Sequence, residues 1–221
     1  MLIAATSDIH SPLYLTQFFA SYNSLRNVNI DLFLLAGDLT EEGKYNHFYP
    51  VYEVLKKYTV VAVFGNEDYT ESREHYKKNF DKIIWLEDSF VKLDIQGKKV
   101  LIVGSEGVLQ EPTRWQKLNG MDENYYREKK KKIQEMLCEN DADFKILLTH
   151  YASTFATVIG ERKSVYPQLG DRIIEEANCL PNIAVHGHAH YAKVTYSVVR
   201  NVRVYNVALP ANKKIVLIQT L

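Results

Sequence analysis

The sequence predicts an α/β fold in which two packed mixed β-sheets are flanked by helices. Three observations carry that prediction. Short apolar runs alternate with helically spaced stretches through the early part of the chain, the pattern of strand–helix–strand units. Past residue 190 the pattern changes to apolar–polar alternation, the signature of antiparallel hairpins. No linker-like segment, internal repeat or low-complexity tract interrupts the 221 residues, so residues 1–221 read as one domain.

The elements follow in order. Leu2–Thr6 is an apolar run of strand length, and Leu15, Phe18, Phe19, Tyr22 and Leu25 then repeat at helical spacing. Leu32–Ala36 is a second strand, followed by a helix marked by Phe48, Val51, Tyr52 and Leu55. Residues 60–64 form a third strand, and a third helix after Asp68 carries Tyr76 and Phe80. These two helices also hold His47 and His75, expected at the surface. Residues 90–95 and 100–104 flank a turn at Gln96-Gly97-Lys98. Residues 105–119 look irregular and residues 121–140 read as a long polar helix, so residues 105–142 are a candidate cap-like insertion. Residues 146–149 and 183–185 are further strands, with a long loop over residues 151–170 and a helix over 171–177. Val194, Tyr196 and Val198 alternate before a turn at Arg200-Asn201, Val202 and Val204 follow, and residues 215–221 close the chain as a strand.

Composition excludes some classes. Apolar residues are 46% and charged residues 24%, as in an ordinary globular protein. Lys and Arg together number 27, as do Asp and Glu, so the chain carries no excess positive charge for coating a polyanion. A nucleic-acid partner is possible but not favoured. Arg127–Lys132 is a basic run, but Tyr126, Ile133, Met136 and Leu137 give that helix an apolar stripe, so most of its lysines should face solvent. No apolar run is long enough to span a membrane, and the N-terminus has no basic region and no cleavage-like site, so it is not expected to be a secretory signal. Cys138 and Cys179 are far apart and form no CxxC pair, so unpaired thiols and a cytoplasmic location are expected. Nothing in the sequence addresses oligomeric state.

The chemistry sits at the strand ends. Five apolar runs stop at potential metal donors: Asp8 and His10; Asp38; Asn66, Glu67 and Asp68; His150; and His186, His188 and His190. In sheets with helical crossovers, ligands gather beyond the carboxyl ends of parallel strands. Five such endings would aim oxygen and nitrogen donors into one pocket. His186 lies on the strand side of Gly187 and is expected to be a core residue rather than a donor.

Read in order, Asp8-x-His10, Gly37-Asp38, Gly65-Asn66-Glu67-Asp68, His150 and Gly187-His188-Ala189-His190 resemble the signature of the calcineurin-like metallophosphoesterase family. The resemblance spans Asp8 to His190 and implies that family's four-layer sandwich. It implies metal-dependent hydrolysis of phosphate esters, favouring phosphodiesters, by a hydroxide bound to two divalent ions. By resemblance Asp38 bridges the ions, Asp8, His10 and His190 complete one site, and Asn66, His150 and His188 complete the other. Two ions roughly 3.5–4 Å apart would supply both a nucleophile and a counter-charge. Imidazole and carboxylate donors suit Mn, Fe, Zn or Ni, with Mn favoured. The implied partner is a small phosphate-ester or nucleotide substrate. Alternatives are a phosphomonoesterase or nucleotide pyrophosphatase, or a non-catalytic binding scaffold of the same fold.

The chain departs from the family at Glu67, where a His is usual. Glu67 and the following Asp68 are therefore the candidate catalytic residues. An ionised Glu67 would repel a dianionic monoester more than a monoanionic diester; a protonated one could serve as a general acid. It could also turn outward and take no part. Long loops in compact domains are often functional, so Arg114, Trp115 and Arg162 are candidates for gripping the phosphate or stacking on a base.

Overall fold

The computed structural model describes residues 1–220; Leu221, the last residue of the final predicted strand, lies outside the described residues. The elements are β1 (Leu2–Thr6), α1 (Leu15–Asn23), β2 (Leu32–Ala36), α2 (Tyr49–Leu55), β3 (Val60–Val63), α3 (Thr70–Asn79), β4 (Ile83–Leu86), β5 (Ser89–Ile95) and β6 (Lys98–Ser105). Then come α4 (Arg114–Leu118), α5 (Glu123–Glu139), β7 (Phe144–Thr149), α6 (Ile173–Glu176), β8 (Ile183–His186), β9 (Tyr196–Val199), β10 (Val202–Asn206), α7 (Leu209–Asn212) and β11 (Val216–Gln219).

The strands form the two mixed sheets. The first has the order β11-β1-β2-β3-β4, parallel except for β11. The second has the order β5-β6-β7-β8-β10-β9, with β6, β7, β8 and β10 parallel and an antiparallel strand at each edge. Period-two alternation sorts side chains between layers. Ile3, Ala5, Leu32, Leu34, Val61 and Val63 meet Val100, Ile102, Ile146, Leu148, Ile183 and Val185 between the sheets. Ala4, Phe33, Leu35, Val60 and Ala62 face the other way, against Phe18, Phe48, Val51, Leu55 and Tyr76 of the helical layer. Leu101, Val103, Leu147 and Ala184 face Tyr126, Ile133 and Leu137 of α5 and Ile173 of α6. The order is helix, sheet, sheet, helix. The carboxyl ends of β1, β2 and β3 and those of β7 and β8 open on one seam, tied by His150 Nδ1 to the Ala36 carbonyl at 2.9 Å and by Gly187 N–H to the His150 carbonyl at 3.0 Å.

Several expectations need correction. Residues 105–119 contain α4, whose start carries a capping box: Gln116 N–H donates to the Thr113 hydroxyl and Thr113 N–H to the Gln116 side chain. β4 is an element the sequence does not signal, because only three residues separate its four apolar residues from the end of α3. His47 lies in a 3-10 turn, Tyr45–Phe48, ahead of α2, and is half-buried; His75 is on α3 and exposed. Not all of the basic run faces solvent. Lys129 is buried, 3.2 Å from Asp88, and Lys130 pairs with Asp171 and Glu176. No helix among the described residues is long and apolar enough to cross a membrane.

The cysteine expectation is overturned: Cys138 and Cys179 form a disulfide. Cys138 lies in the last turn of α5 and Cys179 in the loop before β8, and both segments pack on the outer face of the second sheet, bringing the Cα atoms to 5.2 Å. That contact is tertiary, so a separation of 41 residues concealed it. The cytoplasmic expectation loses its premise of unpaired thiols. Closing a loop of 41 residues stabilises the fold by about 4 kcal/mol in the chain-entropy account. Cys138→Ser, or reduction of the wild type, should therefore lower the melting temperature by several degrees in a thermal scan; an unchanged melting point would show that the bond contributes nothing.

Candidate metal centre

Each donor owes its position to a strand end. β1 delivers Asp8 and His10, β2 delivers Asp38, β3 delivers Asn66, β7 delivers His150, and His188 and His190 follow β8. The chain must turn sharply there to face the seam. Asp8, His10, Asp38 and His188 adopt left-handed backbone conformations, with φ of 55°, 41°, 50° and 66°. Such a conformation costs roughly 1–2 kcal/mol in a non-glycine residue and persists where surrounding contacts hold it. The contacts are present: Asp8 N–H donates to the Gly37 carbonyl at 2.9 Å and His10 N–H to the Asp38 carbonyl at 3.1 Å. Gly65 is required by close approach. A Cβ there would strike Asp38 Oδ1, lie 2.6 Å from the Asp38 nitrogen and 2.8 Å from His150 Cε1.

Two donor sets result. Asp8, His10 and His190 form one, with ligand atoms all within 4.8 Å of one another; Asp38, His150 and His188 form the other. Asn66 joins the second set, its Oδ1 lying 3.0 Å from His150 Nε2. Asp38 connects the two. Its Oδ1 accepts the Glu67 N–H at 2.8 Å, while Oδ2 lies 3.7 Å from His10 Nε2 and 3.3 Å from His150 Nε2.

Charge in the seam is balanced by protons on imidazoles. Burial pushes the Asp8 carboxyl up, but the hydrogen bond and charge of His190, the charge of His150 and the Ser7 hydroxyl bring it below the ordinary carboxylate range. Burial also opposes Asp38 ionisation, and His150 more than offsets it, holding Asp38 low. Burial disfavours a charged His150, yet Asp38, Asp8 and the Ala36 carbonyl raise it to about 10. Its Nε2–H then faces Asn66 Oδ1, His188 Nδ1 at 3.2 Å and Asp38 Oδ2. His190 is likewise held up, against burial, by its 2.8 Å bond to Asp8. Burial and the neighbouring His150 push His188 down to about 3.

A divalent cation fits this arrangement. His10 Nε2 is a buried nitrogen with no hydrogen-bond partner among the described residues, and it points into a space bounded by two carboxylates. The donors are imidazole, carboxylate and amide oxygen, without thiolate, a set suited to Mn, Fe, Zn or Ni. His186 is buried and bonded to the Thr157 hydroxyl at 2.6 Å, apart from both sets.

The remaining candidates divide. Glu67 lines the cleft over the donors, a space of about 260 Å³, with its Oε2 accepting the Glu42 N–H at 3.3 Å. Asp68 is fully buried and accepts N–H groups from Gly65 at 2.9 Å and Leu39 at 3.1 Å and the Tyr76 hydroxyl at 3.2 Å. Burial and the charge of Asp38 raise it to about 7. Arg114, Trp115 and Arg162 are exposed, and none lines the cleft. The loop over residues 151–170 does reach the cleft, through Glu161 and Leu169, and Tyr191 completes the lining. The sequence reading missed these three. Tyr191 carried a signal, because it directly follows His190.

The family model described as calcineurin-like phosphoesterase matches residues 1–192. None of the curated proteins matches the chain. One crystal structure aligns over 93% of this chain and 89% of its own, with 15% identity and a TM-score of 0.56. A Staphylococcus aureus structure described as a candidate 5'-nucleotidase, in complex with alpha-ketoglutarate, aligns over 93% of this chain and 48% of its own, with 12% identity and a TM-score of 0.57. A novel archaeal phosphodiesterase aligns over 93% and 82%, with 16% identity and a TM-score of 0.45.

The protonated histidines make metal binding pH-dependent. His150 and His190 must each release a proton before their nitrogens can take a cation. Metal affinity should therefore rise with pH across the neutral range, and binding near pH 7 should release at least one proton. Calorimetry in buffers of different ionisation enthalpy measures that number. An enthalpy independent of the buffer would show that the donors are already neutral.

Proposed function

This chain belongs to the calcineurin-like phosphoesterase family, and on that premise we propose that it hydrolyses phosphodiesters with two divalent ions, Mn favoured, held in its cleft. One observation carries the reading: a single carboxylate oxygen, Asp38 Oδ2, faces both donor sets. Asp8, His10 and His190 would hold one ion, Asn66, His150 and His188 the other, and Asp38 both. Together the ions would acidify a water and supply positive charge to the phosphoryl oxygens.

The chain's own residues prepare that site. His150 is oriented through its Nδ1, which faces the Ala36 carbonyl and leaves Nε2 for the centre. Asp8 is oriented by the Ser7 hydroxyl and by His188 N–H at 3.0 Å. Asp68 acts as a positioning residue: its bonds to Gly65 and Leu39 tie the loop carrying Asn66 and Glu67 to the end of β2. Intact donor sets favour an enzyme over a scaffold.

The preference for diesters rests on charge. Among the described residues no Lys or Arg lines the cleft, and Glu67 adds a carboxylate. A monoester at neutral pH is mostly a dianion and a diester a monoanion. Two unit charges 4 Å apart interact by about 4 kcal/mol at an effective dielectric near 20, and about 1.4 kcal/mol makes a tenfold preference. The wild type, loaded with Mn, should therefore cleave bis(p-nitrophenyl) phosphate with a higher kcat/KM than p-nitrophenyl phosphate, and Glu67→Gln should shrink that ratio by about tenfold. If Glu67 instead donates the proton to the leaving group, Glu67→Gln should depress diester turnover, most for poor leaving groups. An unchanged ratio together with unchanged turnover would remove Glu67 from the chemistry.

A further inference from the structure

Beyond the donors, the cleft is lined by four side chains: Glu67, Glu161, Leu169 and Tyr191. Two are acids, one is an aromatic and one is aliphatic. These are the side chains the cleft offers to whatever the phosphoryl group carries.

Glu161 and Tyr191 form one built unit. Glu161 Oε1 accepts the Tyr191 N–H at 2.7 Å, which fixes the carboxylate beside the start of the ring. The two segments are also laced together through the backbone, with Lys193 N–H and Val194 N–H donating to the Ile159 carbonyl at 2.7 and 3.2 Å. Gly160 permits this approach: its φ is +123°, and a Cβ there would lie 2.6 Å from the Lys193 nitrogen. Tyr191 is 78% exposed. Arg162 and Lys193 neighbour the unit in sequence, but neither lines the cleft.

We propose that the diester carries a cationic amino-alcohol, a quaternary or primary ammonium, and that Glu161 and Tyr191 recognise it. The inference rests on the phosphodiesterase reading and narrows its substrate class. An ammonium placed over an aromatic face is attracted by the ring quadrupole, and a carboxylate beside it supplies the opposite charge. A neutral or anionic alcohol in the same place would offer Glu161 no opposite charge. In this arrangement the phosphoryl group meets the donor sets, and the ammonium meets Glu161 and Tyr191 of the same cleft.

Two chromogenic diesters with the same leaving group separate these ideas: p-nitrophenyl phosphorylcholine and methyl p-nitrophenyl phosphate. With the Mn-loaded wild type, the choline diester should have about a tenfold higher kcat/KM, chiefly through KM. That ratio should fall toward one in Glu161→Gln and in Tyr191→Ala. A wild-type ratio of one or less, or a ratio unchanged in both variants, overturns the proposal while leaving the phosphodiesterase reading standing. Cleavage of neither diester counts against the phosphodiesterase reading itself. Choline binding then decides the ammonium site independently of turnover. Titrating choline into the zinc-loaded chain should shift the Tyr191 amide resonance saturably, and the shift should vanish in Glu161→Gln. No shift in the wild type overturns the proposal.

Discussion

Two buried carboxylates govern this molecule. Asp8 and Asp38 lie in the seam where two sheets end, with almost no access to water. An ionised carboxylate in such a place is unfavourable unless positive charge stands beside it. In the metal-free chain His150 and His190 supply that charge as protons. Divalent cations in the same position would satisfy both acids at once, with their oxygens already aimed inward.

This constraint reaches into the backbone. Asp8, His10, Asp38 and His188 leave their strands through left-handed turns, and hydrogen bonds among the turns sustain them. The packed sheets supply the rigid frame. Their alternating faces bury one layer of aliphatic residues between the sheets and one beneath the helices on each side. The parallel strands of both sheets present their carboxyl ends to the same seam, so donors from residues 8 to 190 meet within a few ångströms.

Much of this was legible in the sequence because each relevant signal is local. An apolar run that ends in Asp, Asn or His declares both a strand and a donor, and the ordered set at Asp8, Asp38, Asn66, His150 and His188 implied the centre. What stayed hidden depends on tertiary contact. β4 is four apolar residues without a periodic partner. α4 is one short turn whose capping box, Thr113 to Gln116, was the available sign. The bond between Cys138 and Cys179 joins two elements that meet only because both cover the second sheet. The rim of the cleft was hidden for the same reason. Arg162 drew notice for its charge, whereas the chain turns its neighbour Glu161 inward to meet Tyr191.

The central claim is that Asp38 Oδ2 belongs to two ion sites, and anomalous diffraction from Mn-soaked crystals tests it directly. The account predicts two anomalous peaks roughly 3.5–4 Å apart, one beside Asp8, His10 and His190, the other beside Asn66, His150 and His188, with Asp38 between them. A single peak, or two peaks without Asp38 in common, would contradict it.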